Sequence, residues 1–348
     1  MIKCSMMKKT KCAFLCILVF FLLISSCAEK YASPESEKRQ IGKNNILPED
    51  NQKFHYIEEF KQYTVDENGD RDYVCNVPND IPLLLEGRIH TVWSAVSDDG
   101  STWKDEQYVM RGSVPEVIYF NNKYYMFVMG KCLMYVSDNG IQFNEMNYTL
   151  KADNLPEDFK DFGVDPTAAV VNGTIHLFFY EPEQTAQPVV AASIKGDHKI
   201  IQYVSEDAVT WKRVGEAIAV SGITDPDIVY YGNEWYLFMS IGQSAKGAVS
   251  KDAVTFSLLN NGNAVETQGG VPDTIVFNGV MNMYAHRDEN GVTVIKRFTS
   301  TDGIAWQDKG TVLEDGEAPS VVQLPDGTFR MYYVKRLSEE KYKALVAE

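Results

Sequence analysis

One seven-residue turn recurs five times in this chain, and a repeated unit restricts the fold to architectures that stack or ring equivalent elements. The copies are Ser97-Asp-Asp-Gly-Ser-Thr-Trp103, Ser137-Asp-Asn-Gly-Ile-Gln-Phe143, Ser205-Glu-Asp-Ala-Val-Thr-Trp211, Ser250-Lys-Asp-Ala-Val-Thr-Phe256 and Ser300-Thr-Asp-Gly-Ile-Ala-Trp306. Each has Ser first, Asp or Asn third and an aromatic residue seventh. Ser, Asp and Asn can bond their own backbone in such a turn, and Gly permits positive φ. The aromatic residue is then free to fold back on a neighbouring sheet.

A second element alternates with the first. It is a proline, an apolar strand, a short turn and an aromatic strand. Its prolines are Pro115, Pro166, Pro226, Pro272 and Pro319, spaced 51, 60, 46 and 47 residues apart. Hairpin signals follow each: Asn122, Asn172-Gly173, Gly232-Asn233, Asn278-Gly279 and Asp326-Gly327. The spacing is that of a four-stranded propeller blade. The reading is all-β: a five-bladed β-propeller over residues 88–348. The chain enters on a turn element and leaves on a proline element, so strands at about 88–104 should complete the C-terminal blade and leave no free edge. Tyr342-Lys-Ala-Leu-Val is read as a further strand of that blade. Fivefold recurrence disfavours the β-sandwich alternative.

In a propeller the first strand of each blade lines the axis, so the proline column should converge there. Around it lie Glu116, Asp165, Asp225 with Asp227, Asp273 and Glu317, while Arg111, His286 and Arg287 sit near these strand starts or the ends of the next strands. Three readings of this carboxylate ring stand side by side. Paired carboxylates can hydrolyse a glycosidic bond, at about 6.5–9.5 Å apart for inversion or about 5–5.5 Å for retention; crowding raises one pKa and supplies the acid. The ring could hold a structural Ca2+ in the central channel. Or each acid simply caps a strand start by bonding local amides. Of these, the sugar-handling pocket is favoured, with Asp165, Asp225, Asp273 and Glu317 as catalytic candidates. Glu116, Asp227, Arg111, His286 and Arg287 are the substrate-binding candidates. The aromatic residues of the second strands, such as Trp235, Tyr284 and Tyr332, read as packing between blades. The 180–198 insertion reads as a substrate-shaping loop.

Together, the Asp-Pro inner strands, the Asn-Gly hairpins followed by Trp-Tyr-Leu-Phe, and the Ser-x-Asp-Gly-x-x-Trp turns resemble the five-bladed propeller glycosidases of glycoside hydrolase family 43 and its relatives in families 32, 62 and 68. The resemblance covers residues 88–348. It implies an Asp base or nucleophile, an orienting Asp and a Glu acid. The first proline element departs from this pattern, with Val114-Pro115-Glu116 in place of Asp-Pro. A frame shifted by one blade makes Asp165 the base, Asp225 or Asp273 the tuner, and Glu317 (in Glu317-Ala-Pro319) the acid. The departure implies a different glycosidase family or a propeller that has lost catalysis, which leaves a non-catalytic glycan-binding scaffold as the alternative. A sialidase-like hydrolase is a further alternative, ranked below this class, because sialidases have a turn one residue longer and need three arginines for a carboxylate. Arg111, Arg287 and Arg330 do not occupy matching repeat positions.

The N-terminus reads as a targeting segment. Lys3, Lys8, Lys9 and Lys11 precede an apolar run from Ala13 to Ile24, the length of a signal-peptide core and too short for a membrane span. Ile24-Ser25-Ser26-Cys27 resembles the bacterial lipobox, which implies cleavage after residue 26 and lipid on Cys27. Ala28 after the cysteine favours the outer membrane of a bacterial envelope. Residues 27–87 then form the lipidated cysteine, a polar tether and an N-terminal extension. Cys75 and Cys132 are left as a candidate disulfide in an exported chain.

The chain carries 33 Lys and Arg against 48 Asp and Glu, a net charge of −15 that becomes −19 once the four signal lysines leave. Such an acidic chain without a basic stripe is a poor nucleic-acid partner. No nucleotide motif, hydrolase nucleophile elbow or His and Cys metal spacing occurs, so no cofactor is expected beyond the Ca2+ reading.

Overall fold

The computed structural model describes residues 62–75, 84–85, 88–129, 133–156, 159, 162–181, 197–265 and 268–347. These residues are almost entirely β, in a propeller arrangement of five sheets. Sheet I holds Ser113–Phe120, Lys123–Met129, Met134–Ser137 and Asn144–Glu145. Sheet II is built on Val164–Val171, Thr174–Glu181, Asp197–Ser205 and Thr210–Ser221. Sheet III starts with Thr224–Tyr231, Glu234–Ser240 and Ala245–Ser250, and sheet IV runs Gly270–Phe277, Val280–Glu289, Val292–Ser300 and Gln307–Glu314. Sheet V pairs Glu317–Gln323 and Phe329–Leu337, which follow sheet IV, with Arg88–Ser97 and Lys104–Arg111, which precede sheet I. The ring is thus closed by non-covalent pairing of the first and last repeat strands, as the phase of the repeats predicts.

The hairpins form where the turn residues allow them. Asn121-Asn122, Asn172-Gly173, Gly232-Asn233 and Asn278-Gly279 all have positive φ at both positions, which matches the twist of the flanking strands. The seven-residue turns are held alike. The Asp or Asn third residue accepts from the amides of the fifth and sixth, as Asp302 does from Ile304 and Ala305 at 2.9 and 3.0 Å. The fourth residue (Gly100, Gly140, Ala208, Ala253 or Gly303) takes positive φ every time. At Gly140 an added Cβ would lie 2.8 Å from the Tyr332 hydroxyl, so the turn also needs glycine's lack of bulk.

The aromatic seventh residue packs edge-on against the second strand of the preceding sheet in every case. The pairs are Trp103 on Tyr284, Phe143 on Tyr332, Trp211 on Phe127, Phe256 on Phe178 and Trp306 on Phe238, with ring centroids 5.2–6.1 Å apart. Sheet I thereby leans on V, II on I, III on II, IV on III and V on IV. Aromatic edge contacts of this kind add about 0.5–1.5 kcal/mol to the burial of the rings themselves. Trp211 is fully buried. Trp211→Ala is expected to cost about 3–5 kcal/mol, read as a lower denaturation midpoint in a urea titration. A loss under 1 kcal/mol would show that the inter-sheet contact is not what holds sheets I and II together.

Two parts differ from the sequence reading. Residues 339–345 are a helix, Glu339–Leu345, and not a strand. Ser338 caps it by accepting the Lys341 amide, Glu339 and Glu340 sit in its first turn, and Lys343 pairs with Glu339 one turn away. Local capping wins because the apolar residues there are too few to fill a further edge position. At the other end, the hairpin of Gln62–Val65 and Arg71–Val74 extends sheet II through Tyr148–Leu150, which lies parallel to the outer strand of that sheet. Tyr73 stacks on Tyr148 at 4.8 Å, and Asp70 pairs with Lys151. Cys75 is disulfide-bonded; Cys132, its expected partner, lies outside the described residues, as do Cys27, the signal segment, the 28–55 tether and most of the 180–198 insertion.

Candidate active site

Each inner strand begins with the same device. The residue before the proline has a left-handed backbone: Val114, Asp165, Asp225, Val271 and Ala318 have φ of 47, 53, 43, 49 and 46°. A register shift follows in the pairing of each inner strand with its neighbour. Left-handed conformation costs a non-glycine residue about 1–3 kcal/mol and persists only where the surroundings fix it. Here they do, five times over.

The residue after each proline supplies a latch. Its side chain accepts the amide two residues past the proline in the next sheet. Glu116 accepts from Ala168 at 2.7 Å, Thr167 from Ile228 at 2.9 Å, Asp227 from Thr274 at 3.1 Å, Asp273 from Val321 at 2.8 Å, and Ser320 from Val117 at 2.9 Å. The cycle runs from sheet I through V and back to I. It reveals Thr167 and Ser320 as members that a search for acids alone misses, and it explains Glu116, Asp227 and Asp273. Thr274 and Ser320 donate hydroxyls to Asp227 and Glu116 as well. All three acids are buried, and desolvation pushes Glu116 up to about 8, Asp227 to about 6 and Asp273 well above the usual carboxylate range.

The two acids before the prolines are placed differently. Asp165 and Asp225 are half-buried and lie on adjacent sheets. With Glu116, all five prolines and Thr167, they line a cavity on the axis. Its volume is about 10 Å3, room for roughly one water molecule and none for a sugar ring. Desolvation and the neighbouring Asp225 charge raise Asp165 well above the usual range, although its carboxyl accepts the Asp225 amide. Desolvation also raises Asp225, opposed by a hydrogen bond from Thr224. Two like charges in one small space cannot both ionise cheaply, so the pair favours holding a proton.

The remaining sequence candidates lie elsewhere. Glu317 forms an ion pair with Arg336. His286 accepts the Ala318 amide at its Nδ1. Arg111 lies over the Tyr342 ring, Arg287 over toward Gln268 and Glu289, and Arg330 on Ser94. None of these three arginines lines the axial cavity or meets another there. Among the described residues no group of three His, Cys, Asp or Glu is arranged to hold a metal ion.

No protein-family model and no curated protein matches the chain. Solved structures do. A variant of the family 43 protein BlXynB from Bacillus licheniformis is 17% identical over 65% of this chain and 50% of its own, with a TM-score of 0.50. A thermostable family-43 glycoside hydrolase is 13% identical, covering 65% and 88%, with a TM-score of 0.49. An endo-arabinase from Bacteroides thetaiotaomicron is 16% identical, covering 64% and 89%, with a TM-score of 0.47. At these identities the likeness concerns the fold, and in its fold this chain is similar to the propeller glycoside hydrolases of family 43.

Proposed function

We propose that the protein is a glycoside hydrolase built as a five-bladed propeller, one blade per sheet, with Asp165 and Asp225 as its acid–base pair. The observation that carries this reading is their position: among the described residues they are the half-buried carboxyls on the axial cavity, on adjacent sheets, with raised pKa values. Asp165 donates its proton to the leaving glycosidic oxygen. Asp225, the carboxylate, takes a proton from water as that water attacks the anomeric carbon from the face opposite the leaving oxygen, which requires the two carboxyls to stand about 6.5–9.5 Å apart around the bound sugar. The sugar itself sits above the mouth, since the cavity admits about one water. The frame implied by family resemblance, with Asp165 as base and Glu317 as acid, fits less well: Glu317 is engaged by Arg336 and does not line the axial cavity.

The test is hydrolysis of aryl glycosides (arabinofuranoside, xyloside, fructoside surrogate, galactoside, sialoside) by the full chain beside Asp165→Asn and Asp225→Asn. Turnover of one sugar, lost in both variants, supports the pair. Turnover that survives both places the chemistry elsewhere.

A second reading has its own support. Glu116, Asp227 and Asp273 spend their oxygens on neighbouring amides, as ring-holding residues do. A folded protein inactive on every substrate would make this a glycan-binding scaffold.

Export and anchoring complete the proposal. The four lysines, the twelve-residue apolar run and Ile24-Ser25-Ser26-Cys27 support lipidation at Cys27 in a bacterial envelope, with Ala28 favouring the outer membrane. Cys27→Ser should abolish incorporation of labelled palmitate and move the protein from the membrane pellet to the soluble fraction. Retention of both in the variant would remove Cys27 as the anchor.

A further inference from the structure

The second strand of sheet II ends in a buried phenol, and the chemistry above makes no use of it. Tyr180 lies directly across the sheet from Val164, the chain neighbour of Asp165. It is 2% exposed and packs with Ile223 and Ile228 in the core between sheets II and III. Its backbone is gripped as well. A Cβ on Gly163 would lie 2.2 Å from the Tyr180 carbonyl oxygen, so only glycine lets the two backbones approach. The His198 ring backs the phenol, with centroids 4.9 Å apart. His198 Nδ1 is bonded to the Ile223 carbonyl, two residues before Asp225. A carbonyl oxygen only accepts, so the imidazole proton is on Nδ1. Tyr180 thus lies against both segments that carry the carboxyl pair: Val164-Asp165 across the sheet and, through His198, Ile223-Thr224-Asp225.

The Tyr180 hydroxyl has no hydrogen-bond partner among the described residues, and neither has His198 Nε2. Other buried tyrosines of the ring use theirs: Tyr284 donates to the Gly100 carbonyl at 2.7 Å and Tyr332 to that of Gly140 at 2.9 Å. An unpaired buried hydroxyl is unfavourable, which points to a partner that appears in another state of the site. Burial, and after it the charges of Asp165 and Asp225, push the phenol's ionisation up, so it stays protonated and can only lend its proton in a hydrogen bond. The group that changes state nearby is the carboxyl pair. Asp165 accepts the Asp225 amide, and Asp225 is bonded by Thr224. Glu116, the third carboxyl on the cavity, is committed to the Ala168 amide and the Ser320 hydroxyl. When Asp165 gives its proton to the leaving oxygen, a carboxylate with free lone pairs forms one residue from the partner strand position of Tyr180. We propose that Tyr180 is a positioning residue whose hydroxyl turns to donate to the Asp165 carboxylate as that carboxylate forms. Its part in turnover rests on the glycosidase reading, whereas the hydrogen bond to the ionised pair does not.

The test is an infrared titration of protonated-carboxyl absorption in the full chain in detergent, with the pair's share assigned from Asp165→Asn and Asp225→Asn. In Tyr180→Phe the pair should hold its proton about tenfold more tightly, the scale of one hydrogen bond to a charged group, so its absorption should persist to higher pH. A urea titration should find this variant at least as stable as the parent, because no hydrogen bond is broken. Tyr332→Phe, which breaks the bond to Gly140, should do the opposite: it should lose stability and leave the carboxyl titration in place. On a responsive glycoside, Tyr180→Phe should also move the high-pH decline of activity upward by the same step. An unshifted or downward-shifted titration in Tyr180→Phe overturns the proposal, and so does a loss of stability or of the fold, which would make the phenol structural. A shifted titration without hydrolysis of any glycoside keeps the hydrogen bond and removes the glycosidase reading. Hydrolysis lost in both Asn variants, with an unshifted titration in Tyr180→Phe, does the reverse.

Discussion

Asp225→Asn should reduce turnover of the responsive aryl glycoside by about 10³-fold or more, the usual scale for loss of a general base. The expectation follows from geometry. In a pair that retains one proton, the proposed assignment makes Asp225 the carboxylate that takes a proton from water. Asn keeps the shape and hydrogen-bonding reach but cannot accept that proton, so the loss should be the same whatever the leaving group. Asp165→Asn should behave differently. The acid matters most when the leaving oxygen is basic, so the variant should lose little on a dinitrophenyl glycoside and about 10²–10⁴-fold on an alkyl glycoside. The pH profile separates the roles again. Activity should decline at high pH as Asp165 loses its proton, and Asp165→Asn should lack that decline on the dinitrophenyl substrate. If the leaving-group sensitivity instead appears in Asp225→Asn, the two roles are exchanged.

The sheet order was legible because its signals are periodic. Ser-x-Asp-x-x-x-aromatic and the proline column each recur five times, and each has a local cause: a self-bonded turn and a strand start. Ring closure followed from their phase. What the acids do at the axis was not legible, and the reason is one residue of register. Glu116 and Asp273 follow a proline; Asp165 and Asp225 precede one. Along a regular strand neighbouring side chains point to opposite faces, but the left-handed residue and the register shift at every proline break that alternation. A list of carboxylates near the prolines therefore mixes latches with cavity-lining groups. Aligning the five elements would have separated them, because Thr167 and Ser320 occupy the position of Glu116, Asp227 and Asp273.

The latch ring makes the fold's stability fall as pH rises above neutrality. Glu116 is held at about 8 by burial, against an ordinary value near 4.5. Between those values the unfolded chain has released the proton and the folded one has not. The folded state binds more protons, so stability declines with increasing pH across that interval and levels off above the folded pKa. Asp227, at about 6, contributes in the same direction over a lower range, and Asp273 and Asp165 add to it. His90 and His286 act oppositely. Their folded values, about 4, lie below the ordinary 6.5, so they raise stability as pH increases from about 4 to 6.5 and contribute no slope above that. The turn acids, such as Asp99 at about 2, lose their contribution only in strong acid. Above pH 6.5 the buried carboxyls are thus the main source of slope among these groups. At about 1.4 kcal/mol per unit, Glu116 alone removes about 2 kcal/mol between pH 6.5 and 8. Urea titrations at pH 6.5, 7.5 and 8.5 should show that decline. Glu116→Gln keeps an acceptor for the Ala168 amide and removes the titration. It should flatten the slope and leave the variant more stable than the parent at pH 8.5, with little difference near pH 5. A parent curve that is flat or rising from pH 6.5 to 8.5 would mean that Glu116 is already ionised in the folded ring. Its charge would then have to be met by a cation at the axis, and the Ca2+ reading of the carboxylates would displace the shared-proton one.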